Sequence, residues 1–329
     1  MTVISGTQQT YDIGSGGGIA EDVEDVIHDL FPMDTYLYTN LESETVTGTF
    51  HEWQTDALAG ATANRQVEGD DASYATLGST IRMGNYTQIS RKTFLISGTL
   101  EAVKKYGRKS EIARIGMKKM REFKRDVELA LVGAQASSAG GAATARSSGG
   151  MESWIASTDH GGNAVRATTS SSASTVGFSG GVVVAPTDGT TTGALTQGKL
   201  VEGIGLAWAQ GGDVSTLLMG TAQKAVFDTF AGIAQQTNEL NAKPATIVNT
   251  VDLFKSDYGT HKAVLHRYMR ANLVLGIDPE YWALGWLQGR RPQIKELAET
   301  GDGEKRMILG EYTLIARNPL ASMKVVACA

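Results

Sequence analysis

The chain reads as an α+β protein, with antiparallel strands packed around one long basic helix. Three observations predict this. Ile112, Ile115, Met120, Phe123, Val127 and Leu131 keep helical spacing over about six turns, which makes one buried stripe. Segments 44–54 and 80–97 are rich in Thr, Val, Ile and aromatic residues, and further strands fit 247–254, 263–269, 293–297, 306–315 and 323–327. No βαβ alternation or internal repeat is visible, so a parallel doubly wound sheet is not expected.

Taken in order, residues 1–18 are polar, end in Gly14-Ser-Gly-Gly-Gly18 and read as a flexible arm. Val23, Val26, Ile27 and Leu30 then form one helical stripe that Pro32 stops. Segments 44–54 and 80–97 read as two long strands, with a polar loop from Gly60 to Gly78 between them. A two-stranded arm without a core of its own is marginal in water and needs a partner surface. A short helical piece is expected at 100–106, and Ser110 is placed to cap the long helix. The outside of that helix is basic. From Gly133 to Gly198 the chain is dominated by Ser, Thr, Gly and Ala and reads as loop-rich. Leu200, Ile204 and Trp208 mark a helix ending at Gly211-Gly212, Leu217–Met219 a short buried strand, and Ala222, Val226, Phe227 and Phe230 another helix. In the tail, Ser256-Asp-Tyr-Gly259 is a turn between two strands. Ala263, Leu265, Arg267 and Met269 share a face of the second.

Charge is unevenly distributed. The first ninety residues hold fourteen acids, two arginines and no lysine, a net of −12. Residues 91–125 hold twelve bases and three acids, a net of +9. Complementary blocks of this kind steer association and fix register between identical chains. The overall charge of −5 disfavours tight nucleic-acid binding by the chain as a whole. A single cysteine, Cys328, allows no internal disulfide and fits assembly in a reducing cytoplasm. No stretch approaches the ~20 apolar residues of a membrane span, and the first residues lack the basic and apolar regions of a secretory signal.

The motifs that suggest chemistry are weak. Gly193-Ala-Leu-Thr-Gln-Gly198-Lys199-Leu200 nearly spells a phosphate-binding loop but has leucine where the magnesium-binding hydroxyl belongs. Gly177-Phe-Ser179-Gly-Gly181 matches a nucleophile elbow, yet a Ser/Thr-rich run precedes it and the β-branched Val182–Val184 follow. Thr158-Asp159-His160 has no apolar scaffold around it. His261 and His266, five apart on an expected strand, point to opposite faces, and no spacing suits zinc. No catalytic, cofactor or metal residue is therefore assigned. The basic helix could hold a polyanion, but its bases are not interleaved with stacking aromatics, and the acidic block of the same chain is the better match.

Many short pieces carry a resemblance. They are Glu52-Trp-Gln-Thr-Asp56, Glu68-Gly69, Asn85-Tyr-Thr-Gln88-Ile89, Tyr106-Gly-Arg108, Lys124-Arg-Asp126-Val-Glu128, Ala145-Arg146, Trp154-Ile155, Ser256-Asp-Tyr-Gly259, Leu275-Gly-Ile-Asp278-Pro279, Leu297-Ala-Glu-Thr-Gly301 and Asn318-Pro319-Leu-Ala321. Together, and in this order, they resemble tailed-bacteriophage major capsid (major head) proteins with the Johnson fold. The resemblance implies an N-terminal arm at 1–42, an extended two-stranded loop at 43–97 and the spine helix of a peripheral domain at 98–139. An axial domain follows at 140–245, then return strands of the peripheral domain at 246–329. It implies a shell protein that self-assembles into an icosahedral head around packaged double-stranded DNA, catalyses no reaction and uses no cofactor. An encapsulin-like nanocompartment shell is the alternative, separated by particle contents.

The partners so implied are identical subunits in pentamers and hexamers, separate scaffolding and portal proteins, optional decoration proteins, and DNA touched weakly and without sequence preference. The setting implied is the virion, assembled in the host cytoplasm without a membrane. Scaffolding is expected from a separate protein, since only about forty residues precede the loop. No lysine precedes Lys92, so a covalent cross-link through the loop is not expected. The inter-subunit contacts expected are Glu44, Glu52, Trp53, Asp56 and Glu68 from the loop, laid across Arg114, Lys118, Lys119, Lys124 and Arg125 of a neighbour's helix.

Overall fold

A computed structural model describes residues 35–56, 58–71, 74, 76–155, 167–168, 177–186, 193–230, 252–299 and 301–326. The helix expected at 20–31 and the segment Thr158–His160 lie outside them. The described chain begins with a five-residue helix, α1 (Tyr36–Asn40), which leads into strand β1 (Glu42–Val46). Strands β2 (Phe50–Thr55) and β3 (Ile81–Tyr86) pair antiparallel, Phe50 opposite Tyr86 and Thr55 opposite Ile81. Strand β4 (Gln88–Ile96) follows after one residue. Each of the two long strands expected from sequence is thus broken in two. Thr87 makes the second break: its N–H donates to Thr49 O at 2.8 Å and its hydroxyl to Glu311 at 2.7 Å, so the residue turns inward.

Helix α2 (Gly98–Ala102) is a single turn, and α3 (Glu111–Val132) is the long helix. Ser110 caps α3 as expected, accepting the Ala113 N–H at 3.2 Å. Glu101 adds a second cap from α2, accepting the Glu111 N–H at 2.8 Å. Of the predicted stripe, Ile112, Phe123, Val127 and Leu131 are buried, and Met120 packs against the core. Two acids, Glu111 and Glu128, are also buried on this helix. Helix α4 (Met151–Trp154) is one turn, and the loop-rich stretch contributes only β5 (Ala167–Thr168), β6 (Phe178–Ser179) and β7 (Val182–Val183) among the described residues.

Helix α5 (Gln197–Ala209), strand β8 (Thr216–Met219) and helix α6 (Thr221–Thr229) match the sequence reading. Gly211, at φ +82°, ends the first of them. Strands β9 (Leu253–Ser256) and β10 (Gly259–Leu265) form the expected hairpin, but β10 stops before Arg267 and Met269. Two strands had not been read from sequence: β11 (Leu273–Ile277) and β12 (Trp282–Leu287). They are buried nearly throughout, so they carry continuous apolar runs rather than alternation. Strands β13 (Gln293–Glu296), β14 (Glu304–Ala316) and β15 (Met323–Val326) complete the described fold.

Two sheets result. In the first, the thirteen-residue β14 is central, with β12 and β13 along one edge, β4 along the other and β1 outside β12. In the second, the order is β5-β15-β11-β8-β10-β9. The strands after residue 252 therefore divide between both sheets, whereas sequence had assigned them to the long helix's side alone. Three pairings, β1 with β12, β10 with β8 and β15 with β5, are parallel, which corrects the expectation of an all-antiparallel set.

Helix α3 lies on the first sheet. Gly310 of β14 sits beneath the Phe123 ring, where an added Cβ would come within 2.7 Å of it, so only glycine admits this approach. Gly116 faces Ile294 and Phe94 in the same layer. Leu200, Ile204 and Ala207 of α5 and Phe227 of α6 pack on the second sheet.

At Gly150 an added methyl would lie 2.0 Å from the Gly133 carbonyl oxygen, a backbone atom that cannot step aside. Gly150→Ala is expected to cost about 1–3 kcal/mol of stability, read by denaturant unfolding of the subunit. A second expectation concerns pH. The Ser110 hydroxyl and the α3 amides hold the Glu101 carboxyl below its ordinary 4.5. This folded-state depression stabilises above that value and is lost as pH falls through the lower one. Protection of the Glu111 and Ile112 amides, taken relative to their intrinsic exchange rates, should fall on acidification below about 4.5, and Glu101→Gln should weaken the dependence.

Candidate assembly site

The β2–β3 ladder packs Met83 and Trp53 on the core and opens into residues 56–80. Of these, the described ones form no strand or helix beyond a turn at Val67–Asp70, closed at 3.1 Å with Gly69 at φ +84°. The whole described stretch is exposed, its apolar side chains included: Leu58 at 100%, Val67 at 78%, Tyr74 at 95% and Leu77 at 91%. Glu68, Asp70 and Asp71 stand among them. A loop that shows water this much apolar surface next to acids is suited to a partner with an apolar seat and a basic rim.

The base of the ladder is held hard. Asn85 is fully buried. Its Nδ2 donates to Leu314 O at 2.7 Å, Ser148 Oγ at 3.1 Å and Gly149 O at 3.2 Å, and its Oδ1 accepts the Gly149 N–H at 2.8 Å. Beside it, buried Glu311 accepts from Thr87 at 2.7 Å and from Arg146 at 2.5 Å. Trp53 on β2 reaches Trp154 at 5.5 Å, and Trp154 stacks on Phe178 at 5.6 Å. The ladder thus leaves the body in one direction, which a contact made far from the core requires.

The other expected loop residues divide. Glu44, with Glu42, brackets Arg317 at the end of β14, and the Arg317 guanidinium is held above its ordinary range by those two carboxylates, Glu42 first. Glu52 pairs with Arg82 at 3.0 Å inside the ladder. Asp56 lines a cleft of about 670 Å³ with Leu58, Ile81, Gln210 and Arg317. Glu68 stands exposed at the loop turn.

On α3, Arg114 bonds Glu111 at 2.5 Å and Lys119 bonds Glu122 at 2.7 Å. Lys118 is exposed on the outer face. The Lys124 ammonium lies 5.3 Å from the Tyr38 ring centre, and Arg125 lies 5.9 Å from that of Tyr268. The ten residues therefore fall in three places: Glu44 on β1 of the first sheet, Glu52, Trp53, Asp56 and Glu68 on the hairpin and its loop, and the five bases on α3. Several already have partners inside the chain. Sequence reasoning gave Arg146 only as part of the Ala145-Arg146 motif and did not single out Glu311 or Arg317. Their signal is faint, because each is one charge in a mixed segment and its partner lies far along the chain.

The weak chemical motifs find ordinary places. Ser179 sits in a tight β6–β7 hairpin whose turn is Gly180-Gly181, both at positive φ, and not at a strand-to-helix elbow. Thr196 caps α5 by accepting the Lys199 N–H at 3.3 Å, and Lys199 bonds Glu202. His261 and His266 are both buried; His266 lies past the end of β10, which corrects their placement on one strand. Among the described residues, no helix is long and apolar enough to cross a membrane.

Two sheets, a long helix laid on one of them and a hairpin projecting beyond the core are the parts of a capsid-shell subunit. The fold is shared with the capsid asymmetric unit of Cyanophage A-1(L), at a TM-score of 0.68 and 12% identity over 94% of this chain and 97% of that one. A holo-encapsulin complex from Synechococcus elongatus reaches 0.54 at 10% identity, over 94% and 92% of the two chains. The SU10 major capsid protein family matches residues 3–329, and the chain belongs to that family. The major capsid protein of Escherichia phage Phieco32 is 28% identical over 322 residues, 89% of this chain and 90% of its own length. The chain is a phage major capsid protein, and it forms the capsid shell.

Replacing Asn85 by alanine strands the Gly149 N–H and the Leu314 carbonyl in a dry site. A loss of roughly 2–3 kcal/mol is expected, with faster proteolysis of the projecting ladder. Chemical unfolding and timed limited digestion read the two effects.

Proposed function

We propose that the shell is an icosahedral head around packaged double-stranded DNA, closed by heterologous contacts in which each subunit lays its hairpin loop on the next. The observation that carries this is the exposed loop, with Leu58, Val67, Tyr74 and Leu77 in water on a ladder whose base is pinned. A free monomer gains nothing from such a segment, and a ring of identical chains can cover it. The N-terminal segment supplies further negative charge, and the outer face of α3 supplies positive charge for it and the loop to meet. Glu52 then acts mainly inside the subunit, shaping the ladder, and Glu44 holds Arg317, while the exposed Glu68 and Lys118 are offered to a neighbour.

Each subunit should bury well over ~2,000 Å² against its neighbours. Pentamers and hexamers, a separate scaffold and portal, and weak sequence-independent contact with DNA complete the reading, with assembly in the host cytoplasm. The subunit performs no catalysis. An encapsulin-like compartment has the same fold, and nucleic acid rather than cargo protein inside purified particles separates the two.

Negative-stain microscopy of the expressed protein should show closed particles, and high salt should weaken their assembly. Reversing Lys118, Lys119 and Lys124 together to glutamate should block assembly while the circular dichroism of the subunit stays unchanged. Normal particles from that variant would refute the pairing on α3.

A further inference from the structure

Helix α1 is five residues long, too short to hold its form alone, and its N-cap residue Thr35 makes no side-chain capping bond. The cap comes from another helix. Glu128, fully buried on α3, accepts the Leu37 N–H on Oε1 and the Tyr38 N–H on Oε2, each at 2.8 Å. These are amides that a helix start leaves unpaired. The same Oε1 contacts His266 Nε2 at 2.7 Å. The Nδ1 of His266 accepts the Tyr268 N–H at 3.3 Å, which leaves the ring proton on Nε2 and aims it at the carboxylate. The backbone N–H of His266 donates to Met219 O at 2.9 Å, so the imidazole is mounted on the second sheet.

One carboxylate therefore joins three parts: the helix lying on the first sheet, the second sheet, and the point where residues 1–34 enter the described fold. Apolar contacts also seat α1. Leu37 is buried, and Tyr38 stands edge-on to Trp286 at 6.0 Å. Such contacts are non-directional and would let a single turn rotate or slide. Two carboxylate bonds to consecutive amides do not. The direction matters because residues 1–34 carry seven acids and no base. Fixing α1 fixes the point from which that charge joins the described fold.

We propose that Glu128 and His266 are positioning residues for shell closure, a latch that sets the exit of the N-terminal segment. The inference rests on the shell reading above and adds the device that aims the segment.

The test uses the full chain with Glu128→Gln, His266→Leu and His266→Gln. Glutamine at 128 turns one acceptor into a donor facing an amide N–H. Leucine at 266 removes the imidazole donor, and glutamine at 266 restores an N–H. Hydrogen exchange of the Leu37 and Tyr38 amides reads the latch, and particle counts by microscopy read closure. Glu128→Gln and His266→Leu are expected to raise that exchange about tenfold or more, with α3 exchange unchanged. They should also cut closed particles by a similar factor, while His266→Gln behaves as wild type. If Glu128→Gln does not fold, the two His266 variants decide alone.

Unchanged exchange in His266→Leu, or a His266→Gln variant as defective as it, overturns the latch. Faster exchange with normal particle numbers overturns its role in closure. A wild-type chain that forms no particles counts instead against the shell reading, and the exchange result still stands or falls by itself.

Discussion

The exposed loop at the end of the β2–β3 ladder is apolar surface that the subunit's own core does not cover, and the proposed assembly rests on covering it. Two strands in water are marginally stable, and the loop they carry presents leucine, valine and tyrosine to solvent. The rest of the structure can be understood from that constraint. The body must fix the direction of the ladder, because an error of a few degrees at its base becomes ångströms at its tip. It must also bring its own charge into a form that a copy of itself can use.

The direction is fixed by buried polar groups rather than by apolar packing alone. Asn85 makes four hydrogen bonds at the foot of the ladder, and Glu311 gathers Thr87 and Arg146 beside it. Glu152 does similar work where Arg270 grips it at 2.5 Å and buried Lys324 bonds its carbonyl. Directional bonds in a dry site specify one arrangement, since any other leaves a polar atom unpaired. The core supplies most of the stability, while these few groups decide how the projecting parts are held.

The charge pattern is subtler than a negative arm meeting a positive helix. Glu42 and Glu44 are used by Arg317, Arg114 by Glu111 and Lys119 by Glu122, all within one chain. Of these, the pairs other than that of buried Glu111 are at least partly exposed, and such pairs contribute little stability and are easily exchanged. Pairing within the chain leaves its net charge unchanged, so a complementary field between copies remains available to the proposed assembly.

The sequence by itself determined the capsid class, the long helix with its Ser110 cap, the β9–β10 turn and the projecting strands. Apart from the capsid class, which the resemblance of motifs scattered along the chain implied, these signals are local: helical period, turn residues and a run of charge lie within a few residues of each other. Tertiary structure alone decided that the two long strands each break at a residue such as Thr87, and that the tail divides between two sheets. It alone showed that β11 and β12 are strands at all, because strands buried on both faces lose the alternation by which strands are read. It also decided which charges act inside the chain. Glu128 looks like any acid on a helix until the fold brings Leu37, Tyr38 and His266 to it from 91, 90 and 138 residues away. Contacts over such distances depend on the whole packing, which no window of sequence contains.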